Sequence, residues 1–243
     1  MPADPGAQLP AAATAAPPLG RVLVTGGSSG LGAAVVRAVI EAGGTPVVLD
    51  RQPPASEVEH ELVDLADTAA AEAATARAAE RGGLDGVVTA AGTDACGPLD
   101  RVDARAWDRV VMVNLLGTAA VVRAALPALE ASPNGRVVTV ASTLGFRALS
   151  DATAYCASKF GVVGFTRALT AELQGRVGVT LLVPGGMATH FFDGRDEQYK
   201  PGPDAPLLPP EQVAAAVLAA LRQPPGCELR ELVVTSSAEP SWP

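Results

Sequence analysis

The stretch that decides the fold is Val22-Leu23-Val24-Thr25-Gly26-Gly27-Ser28-Ser29-Gly30-Leu31-Gly32. It joins a short aliphatic run, typical of a buried strand, to a glycine-rich turn and then directly to a helical pattern at 31–42. Glycine permits a tight turn and close approach of the backbone to a ligand, and the first amides of a helix attract an anion. The glycine spacing departs from Gly-x-Gly-x-x-Gly, so a merely tight connection is the alternative. In this strand-to-helix context the pattern predicts a nucleotide-phosphate site, with candidate residues Gly26, Ser28, Ser29, Gly30, Leu31 and Gly32.

Outward from this turn, short aliphatic runs alternate with longer alanine-rich segments of helical spacing. Strands are predicted at 22–24, 46–49, 86–89, 136–140, 179–183 and 232–234, with a weaker one at 61–63. Helices are predicted at 31–42, 68–81, 104–129, 154–173 and 210–221. Strands that are apolar on both faces and alternate with helices indicate a parallel sheet covered on both sides. We therefore expect one α/β domain at 21–243, a doubly wound Rossmann-type parallel sheet, preceded by a flexible Ala/Pro-rich tail at 1–20.

Composition narrows the classes of function. Of the 243 residues, 48% are hydrophobic and 18% are charged, which supports a large core and excludes a disordered chain. The net charge of -8 disfavours nucleic-acid binding. Cys96, Cys156 and Cys227 are too far apart for a disulfide framework or a metal cluster, so a reducing, cytoplasmic compartment is expected. No apolar stretch is expected to reach the roughly 20 residues of a membrane span, and the N-terminus does not match a signal peptide.

An acidic residue ends the second predicted strand. Asp50 lies 20 residues after Gly30, where a carboxylate can accept hydrogen bonds from both hydroxyls of an adenosine ribose; an ordinary solvated strand end is the alternative. A phosphate on the 2′ position of that ribose would be repelled by Asp50, and Ser29 offers no cation, so a ribose without a 2′-phosphate is expected. Arg51 is the contrary indication, because a guanidinium can pair with that phosphate. Asp64 and Leu65 follow the weak third strand and are candidates to reach the adenine edge.

A tyrosine and a lysine in Tyr155-Cys156-Ala157-Ser158-Lys159 share one helix face. A phenol has a pKa near 10, and a neighbouring ammonium stabilises the phenolate and lowers that pKa. Such a pair alone is common on helix surfaces. Its weight comes from two further polar residues, Ser142 after a predicted strand and Asn114 inside a predicted helix.

With these four residues the chain resembles the short-chain dehydrogenase/reductase family from Arg21 to its C-terminus. The resemblance implies that Tyr155 is the general acid/base and that Lys159 lowers its pKa and binds the nicotinamide ribose. It implies that Ser142 orients the substrate oxygen and that Asn114 holds a water in a proton relay. Hydride transfer between NAD and a secondary alcohol or ketone is the expected reaction, with no metal.

Two other segments match the family in part. Pro184-Gly185-Gly186-Met187-Ala188-Thr189 resembles the Pro-Gly…Thr segment, which implies contacts of Pro184, Gly185 and Thr189 with the nicotinamide side of the cofactor. Thr89-Ala90-Ala91-Gly92 replaces the family's Asn-Asn-Ala-Gly. Ala91 and Gly92 can keep the backbone role near the ribose, whereas the asparagine hydrogen bonds are lost or re-made by Thr89.

Three alternatives stay open. The first is an NADPH-dependent carbonyl reductase with the same four residues. The second is an epimerase or dehydratase of nucleotide-sugars, which is disfavoured because only about 55 residues follow Thr189. The third is a dinucleotide sensor without turnover.

The substrate end is less defined. Residues 190–208 are expected to form either a lid with an apolar inner face or a surface loop with one aromatic anchor. Candidate wall residues are Leu144, Phe146 and Leu149, with Thr93 and Asp94 adding polarity. The resemblance implies a dimer or tetramer through the helices at 104–129 and 154–173 and the last strand. Trp242 predicts a C-terminal segment docked on the body or on a neighbouring subunit.

Overall fold

Seven parallel strands form the central sheet of the protein, whose computed structural model describes residues 19–242. The strands are β1 (Arg21–Thr25), β2 (Thr45–Asp50), β3 (Glu59–Leu62), β4 (Gly86–Thr89), β5 (Arg136–Val140), β6 (Gly178–Pro184) and β7 (Glu231–Val234). Their order, β3-β2-β1-β4-β5-β6-β7, extends in both directions from the centre. The doubly wound parallel sheet is thus confirmed, and the weak third strand begins two residues earlier than predicted.

The helices agree with the predicted segments to within two residues at each end. They are α1 (Gly30–Glu41), α2 (Thr68–Glu80), α3 (Ala104–Val111), α4 (Thr118–Ala131), α5 (Thr153–Glu172) and α6 (Pro210–Leu221). The single helix predicted at 104–129 is the exception, because a π-helical segment, Met112–Gly117, separates α3 from α4. Such widened turns are rare and often lie at functional sites. This one contains Asn114.

Both faces of the sheet are covered, which explains why its central strands are apolar throughout. On one face α1 and α6 pack together, with Val35, Val39 and Val217 fully buried. On the other face α2, α4 and α5 cover the sheet through alanines and through Val121 and Leu129. The small alanine side chains let these helices approach the sheet closely, so a packed core supports the strands.

The domain begins before the predicted boundary. Leu19 is 6% exposed and packs in the same cluster as Val39, and the Gly20 carbonyl accepts a hydrogen bond from the Thr45 amide at 2.9 Å. Leu19 and Gly20 therefore belong to the folded domain and not to the predicted tail. Residues 1–18 of that tail lie outside the described residues.

One helical segment is long and apolar enough, by length and composition alone, to cross a membrane. This segment, Ala104–Ala131, has 28 residues and an 18-residue window of mean hydropathy 1.7. Its inner side belongs to the core, where Val110, Val121 and Leu129 are buried. A core helix of a globular domain meets the same two criteria.

Candidate active site

A cavity of about 910 Å³ opens at the carboxyl ends of the strands, where ligands bind in doubly wound sheets. Most of the predicted site residues line it: Gly26, Ser29, Gly30, Leu31, Asp50, Arg51, Asp64, Leu65, Ala91, Gly92, Ser142, Tyr155, Lys159, Pro184, Gly185 and Thr189. Ser28, Gly32 and Asn114 do not line the cavity. The structure therefore brings the predicted cofactor residues and catalytic residues into one space.

The glycine-rich turn is built for close approach. Gly26 has φ +70°, and a Cβ there would lie 2.8 Å from the Ala91 Cα atom. A Cβ on Gly32 would lie 2.0 Å from the Gly26 carbonyl oxygen, so Gly32 has a structural role inside the turn. The hydroxyl of Ser29, which precedes α1, makes no capping hydrogen bond to the helix. The first turn of α1 thus faces the cavity with its amides available to an anion.

The Asp50 carboxylate is fixed at the end of β2. One of its oxygens accepts a hydrogen bond from the Ser28 amide at 3.0 Å, and the other accepts one from the Gln52 amide at 3.1 Å. Ser28 therefore acts through Asp50 rather than by facing the cavity. Arg51 is exposed. This geometry presents a carboxylate, held in one orientation, to the cavity.

A pair that the sequence did not reveal lies at the same end. Arg109 in α3 donates from Nη2 to both oxygens of Asp64, at 3.0 and 2.9 Å. Burial tends to raise the pKa of Asp64, but the Ala66 amide and Arg109 outweigh it and lower that pKa. Asp64 is thus an ion-paired carboxylate. No local pattern marks Arg109, because its partner lies 45 residues earlier in the chain.

Ser142, Tyr155 and Lys159 meet where β5 ends against α5. The Ser142 hydroxyl oxygen accepts a hydrogen bond from the Leu144 amide at 3.1 Å, which fixes the side chain at the start of the 3₁₀ turn Thr143–Gly145. The Lys159 ammonium donates to the Val140 carbonyl oxygen at 2.9 Å and lies 5.6 Å from the centre of the Tyr155 ring. Lys159 is only 4% exposed.

The acidities of this group follow from burial. Burial raises the pKa of Tyr155 to about 12, although a hydrogen bond with Ser142 lowers it in part. Burial also lowers the pKa of Lys159 to about 8, against the opposing charge of Asp94. Burial is thus the largest influence on the pKa of both groups, and the lowering of the Tyr155 pKa by Lys159 that the resemblance implies stays a prediction.

Asn114 lies beside this group but is committed to other contacts. Its Oδ1 accepts from the Thr93 amide at 2.8 Å, and its Nδ2 donates to the Thr93 carbonyl at 2.9 Å and to the Ser158 hydroxyl at 3.0 Å. A Cβ on Gly92 would lie 3.6 Å from Asn114 Oδ1 and 3.9 Å from Lys159 Nζ. Asn114 thus anchors the loop after β4 next to Lys159. Its role in a water relay stays a prediction.

The altered Asn-Asn-Ala-Gly segment has lost a hydrogen bond. Thr89 Oγ1 is buried and has no partner among the described residues, so of the two expected outcomes the bonds are lost rather than re-made by Thr89. The Ala91 amide instead donates to Thr25 Oγ1 at 3.1 Å. This bond from the neighbouring strand holds the backbone that faces the ribose position.

The segment after β6 meets the glycine-rich turn. A Cβ on Gly30 would lie 3.5 Å from the Thr189 side chain, so the two predicted cofactor segments are in contact. The Gly186 amide donates to Glu239 Oε2 at 3.0 Å, and the Ala188 amide donates to the Leu208 carbonyl at 2.8 Å. These bonds tie the segment to the C-terminus and to the end of the loop 190–208.

Loop 190–208 covers the catalytic group. It contains two short 3₁₀ turns, His190–Phe192 and Glu197–Tyr199. The Phe191 ring centre lies 5.7 Å from that of Tyr155, and Phe192 packs edge-on against Phe191 at 5.5 Å. Two aromatic rings on the inner side agree with the lid and not with a surface loop held by one anchor. We refer to 190–208 as the lid.

Some of the predicted wall residues of the substrate pocket line the cavity, and the others do not. Leu144, Thr93 and Asp94 line the cavity, as expected. Leu149 is 59% exposed, and Phe146 packs against Trp242 with ring centres 5.5 Å apart. Neither of these two lines the cavity, because the C-terminal segment occupies the side of Phe146.

The C-terminal segment docks on the body of its own chain. Besides the Trp242 contact, Arg147 donates to the Pro240 carbonyl at 2.7 Å. The Ser241 and Thr143 hydroxyls are hydrogen-bonded at 2.7 Å. The segment therefore bridges the loop that follows Ser142 and the loop that contains Gly186.

Comparison with known proteins agrees with this geometry. A family model described as short chain dehydrogenase matches residues 21–200, which is most of the chain. The chain belongs to the short-chain dehydrogenase/reductase family. Its oxidoreductase class and its nucleotide-binding Rossmann fold follow from that membership.

This short-chain dehydrogenase is similar to relatives of known activity over more than four fifths of their length. D-threitol dehydrogenase of Mycolicibacterium smegmatis is 33% identical over 216 residues, 81% of this chain and 83% of the relative. Cis-4-hydroxycyclohexanecarboxylate dehydrogenase of Sinomonas cyclohexanicum is 33% identical over 215 residues, 80% of this chain and 86% of the relative.

Solved structures share the fold. Aldohexose dehydrogenase of Thermoplasma acidophilum superposes with a TM-score of 0.79 at 22% identity, covering 88% of this chain and 92% of that one. An alcohol dehydrogenase of Thermococcus sibiricus, complexed with 5-hydroxy-NADP, superposes with a TM-score of 0.78 at 24% identity. The superposition covers 89% of this chain and 96% of the alcohol dehydrogenase chain.

The residues of this short-chain dehydrogenase fit the NAD(P) that its fold binds. The glycine-rich turn has no space for a side chain at Gly26, so the backbone itself forms the surface of the cavity there. The fixed Asp50 carboxylate lies at the same end of the cavity as the glycine-rich turn, and Lys159 lies beside Gly92. The contacts of Asp50 with the adenosine ribose and of Lys159 with the nicotinamide half stay predictions.

Proposed function

We propose that the protein catalyses the reversible oxidation of a secondary alcohol to a ketone with NAD as cofactor. The observation that carries the proposal is the group Ser142, Tyr155 and Lys159, which lies in one cavity between the glycine-rich turn and the lid. When bound, the nicotinamide ring supplies the hydride acceptor for oxidation or the hydride donor for reduction.

The chain's own residues position the substrate and move a proton. Tyr155 Oη takes the alcohol proton in oxidation and returns it to the ketone oxygen in reduction. Ser142, whose hydroxyl is fixed by Leu144, holds the substrate oxygen at Tyr155. Lys159 provides a positive charge beside the phenol and is the candidate for binding the nicotinamide ribose. Phe191 excludes water from the phenol side of the cavity.

The named relatives support an alcohol substrate. One is a dehydrogenase of D-threitol and the other of cis-4-hydroxycyclohexanecarboxylate. Both compounds carry a hydroxyl group that a dehydrogenase can oxidise. They differ in charge, since the second also carries a carboxylate.

The preference for NAD rests on the adenosine end of the cavity. Asp50 is held by the Ser28 and Gln52 amides in an orientation that favours neutral ribose hydroxyls over a 2′-phosphate. The charge of Arg51 contributes to the lowered pKa of Asp64, so this guanidinium already has a carboxylate near it. We infer that Asp50 decides the preference.

We further propose that the enzyme is a cytoplasmic dimer or tetramer. Met112, Leu116 and Phe160 are between 41% and 45% exposed on the outer sides of the long helices, and Val233 is 41% exposed on the edge strand β7. Apolar surface of this kind is typical of contacts between subunits. The three free cysteines agree with a reducing compartment. Light scattering should give the mass of two or four chains.

The proposal is tested by turnover. The purified protein is incubated with NAD or NADP and a panel of secondary alcohols, and the reduced nicotinamide is followed by absorbance. Turnover with NAD in the wild type, lost in Tyr155→Phe, supports the proposal. Tight binding of NAD without turnover of any alcohol or ketone would identify a sensor instead.

A further inference from the structure

A charged pair lies between the lid and the loop after β4. Arg195 Nη2 in the lid and Asp94 Oδ2 are 2.6 Å apart, with side chains 18% and 5% exposed. Arg195 also lies over the rings of Phe191 and Phe192, at 5.1 and 4.6 Å from their centres. Both charged side chains line the cavity. The pair is therefore a rigid, polar part of the cavity wall.

The pair is close to the reacting group. The Phe191 ring centre lies 5.7 Å from that of Tyr155 and 5.1 Å from the Arg195 guanidinium carbon. The charges also act on Tyr155 directly, since Asp94 raises the pKa of the phenol and Arg195 lowers it. A substrate of a few carbon atoms with its reacting oxygen at Tyr155 can thus extend along Phe191 to the pair.

The pair has hydrogen-bonding capacity left for a ligand. The guanidinium has five N–H donors, and its contacts in the structure use one on Asp94 and one on the Tyr199 carbonyl at 3.2 Å. The Asp94 carboxylate also accepts from the Ala95 amide at 2.7 Å and from the Cys96 thiol at 3.2 Å. A group that both donates and accepts can bond to the two partners at once.

The charge balance at this end of the cavity disfavours an anionic substrate. Apart from Asp50, Arg51, Asp64 and Arg109, the charged residues among those described that line the cavity are Asp94, Asp196, Glu239, Lys159 and Arg195. The balance is slightly negative, and the charge of Arg195 is already matched by Asp94. A substrate carboxylate bound to the free N–H groups of Arg195 would lie beside the Asp94 carboxylate, and the two like charges would repel each other.

We propose that Asp94 and Arg195 bind a second hydroxyl group of a neutral polyol substrate. This inference rests on the proposed alcohol oxidation and names its substrate class. A hydroxyl donates to Asp94 and accepts from Arg195, whereas a carboxylate cannot donate and an ammonium cannot accept. The carbon chain between the two hydroxyls packs on Phe191.

The test compares matched substrates in the wild type. The value of kcat/KM is measured with NAD for butane-2,3-diol, for butan-2-ol and for 3-hydroxybutyrate, and the diol is expected to exceed both others by at least about tenfold. Equal values for the diol and the mono-alcohol, or a preference for the hydroxy acid, would overturn the polyol subsite and leave the alcohol oxidation standing. No turnover of any alcohol or ketone would overturn both.

Variants of Asp94 and Arg195 test whether this ion pair causes the preference for the diol. Asp94→Asn should reduce the ratio of kcat/KM for diol over mono-alcohol at least about tenfold. The double variant Asp94→Asn/Arg195→Gln replaces the ion pair by neutral groups. If the single variant does not fold, the same ratio is measured in this double variant. Asp193→Asn makes the same change of charge at an exposed lid position and should keep the wild-type ratio. An unchanged ratio in a folded Asp94 variant would contradict the assignment.

Discussion

The Lys159 ammonium donates a hydrogen bond to the carbonyl oxygen of Val140, at 2.9 Å, in a place almost closed to solvent. This contact holds a charge between the end of β5 and the Tyr155 ring. Burial lowers the pKa of Lys159 to about 8, so the folded protein bears a cost for keeping it charged at neutral pH. The position of Lys159 and the cost of keeping it charged both favour the proposed role of Lys159 in the reaction.

Replacing Lys159 should stabilise the fold and abolish activity. Lys159→Met removes a buried charge but leaves the Val140 carbonyl unpaired, so we expect the free energy of unfolding to rise by about 1–2 kcal/mol at pH 7. Because the folded pKa is below the unfolded value, the wild type gains stability as pH rises from about 8 to 10.5, and the variant lacks this gain. Denaturant titrations at several pH values measure both effects. The control is Lys200→Met, which changes the other lysine of the chain. A Lys159→Met variant with a lower free energy of unfolding than the wild type would contradict this prediction.

The two pKa values predict a pH profile. Oxidation needs a Tyr155 phenolate beside a Lys159 ammonium, a state with one proton fewer than the fully protonated pair. Its population rises with pH up to the lower of the two pKa values, about 8, and is level until about 12. We expect kcat/KM for oxidation to rise about tenfold per pH unit below 8 and then to level off, with ketone reduction level below 8 and falling above it. An oxidation rate independent of pH between 6 and 8 would argue against this pair.

The unpaired Thr89 hydroxyl predicts a stabilising substitution. Thr89→Val replaces a buried, unbonded Oγ1 by a methyl group of similar size, and we expect a gain of about 1 kcal/mol in the free energy of unfolding. Thr139→Val is the matched control on β5. The Thr139 hydroxyl is bonded to Thr166 at 2.7 Å, so its loss should destabilise the protein. Thermal denaturation of the two variants gives the comparison, and equal destabilisation of both would show that Thr89 has a partner.

Cofactor preference is expected to follow Asp50. In Asp50→Ser the carboxylate that opposes a 2′-phosphate is gone, so the ratio of kcat/KM for NAD over NADP should fall at least about tenfold or reverse. Arg51→Ala is the companion variant, and it should leave a wild-type preference for NAD in place. A wild type that prefers NADP, with the preference lost in Arg51→Ala, would assign the selection to Arg51.

Site residues could be predicted from the sequence where the residues that mark them are close together in the chain. The glycine-rich turn, the strand end at Asp50 and the Tyr155–Lys159 spacing each depend on residues close together in the chain, and all lie in the cavity. The partners of Asp64 and Asp94 are 45 and 101 residues away, so no local pattern could pair them with Arg109 and Arg195.

Two further differences arise from packing. The π-helical turn at Asn114 interrupts a segment whose composition is helical throughout, and the Asn114 side chain in this turn is bonded to Thr93 and Ser158 across the fold. The raised pKa of Tyr155 depends on burial, which spacing alone does not give.

Replacing the Tyr155 hydroxyl group by hydrogen is the most direct test of the proposal that Tyr155 is the general acid/base. Tyr155→Phe keeps the ring contact with Phe191, so folding and NAD binding should be retained, while kcat/KM falls by about 10²–10⁴. Tyr199→Phe removes the only other tyrosine hydroxyl, which also lies at the cavity, and should have a far smaller effect. The account predicts a folded, NAD-binding Tyr155→Phe enzyme with almost no turnover. Near-normal turnover on the same substrate would contradict it.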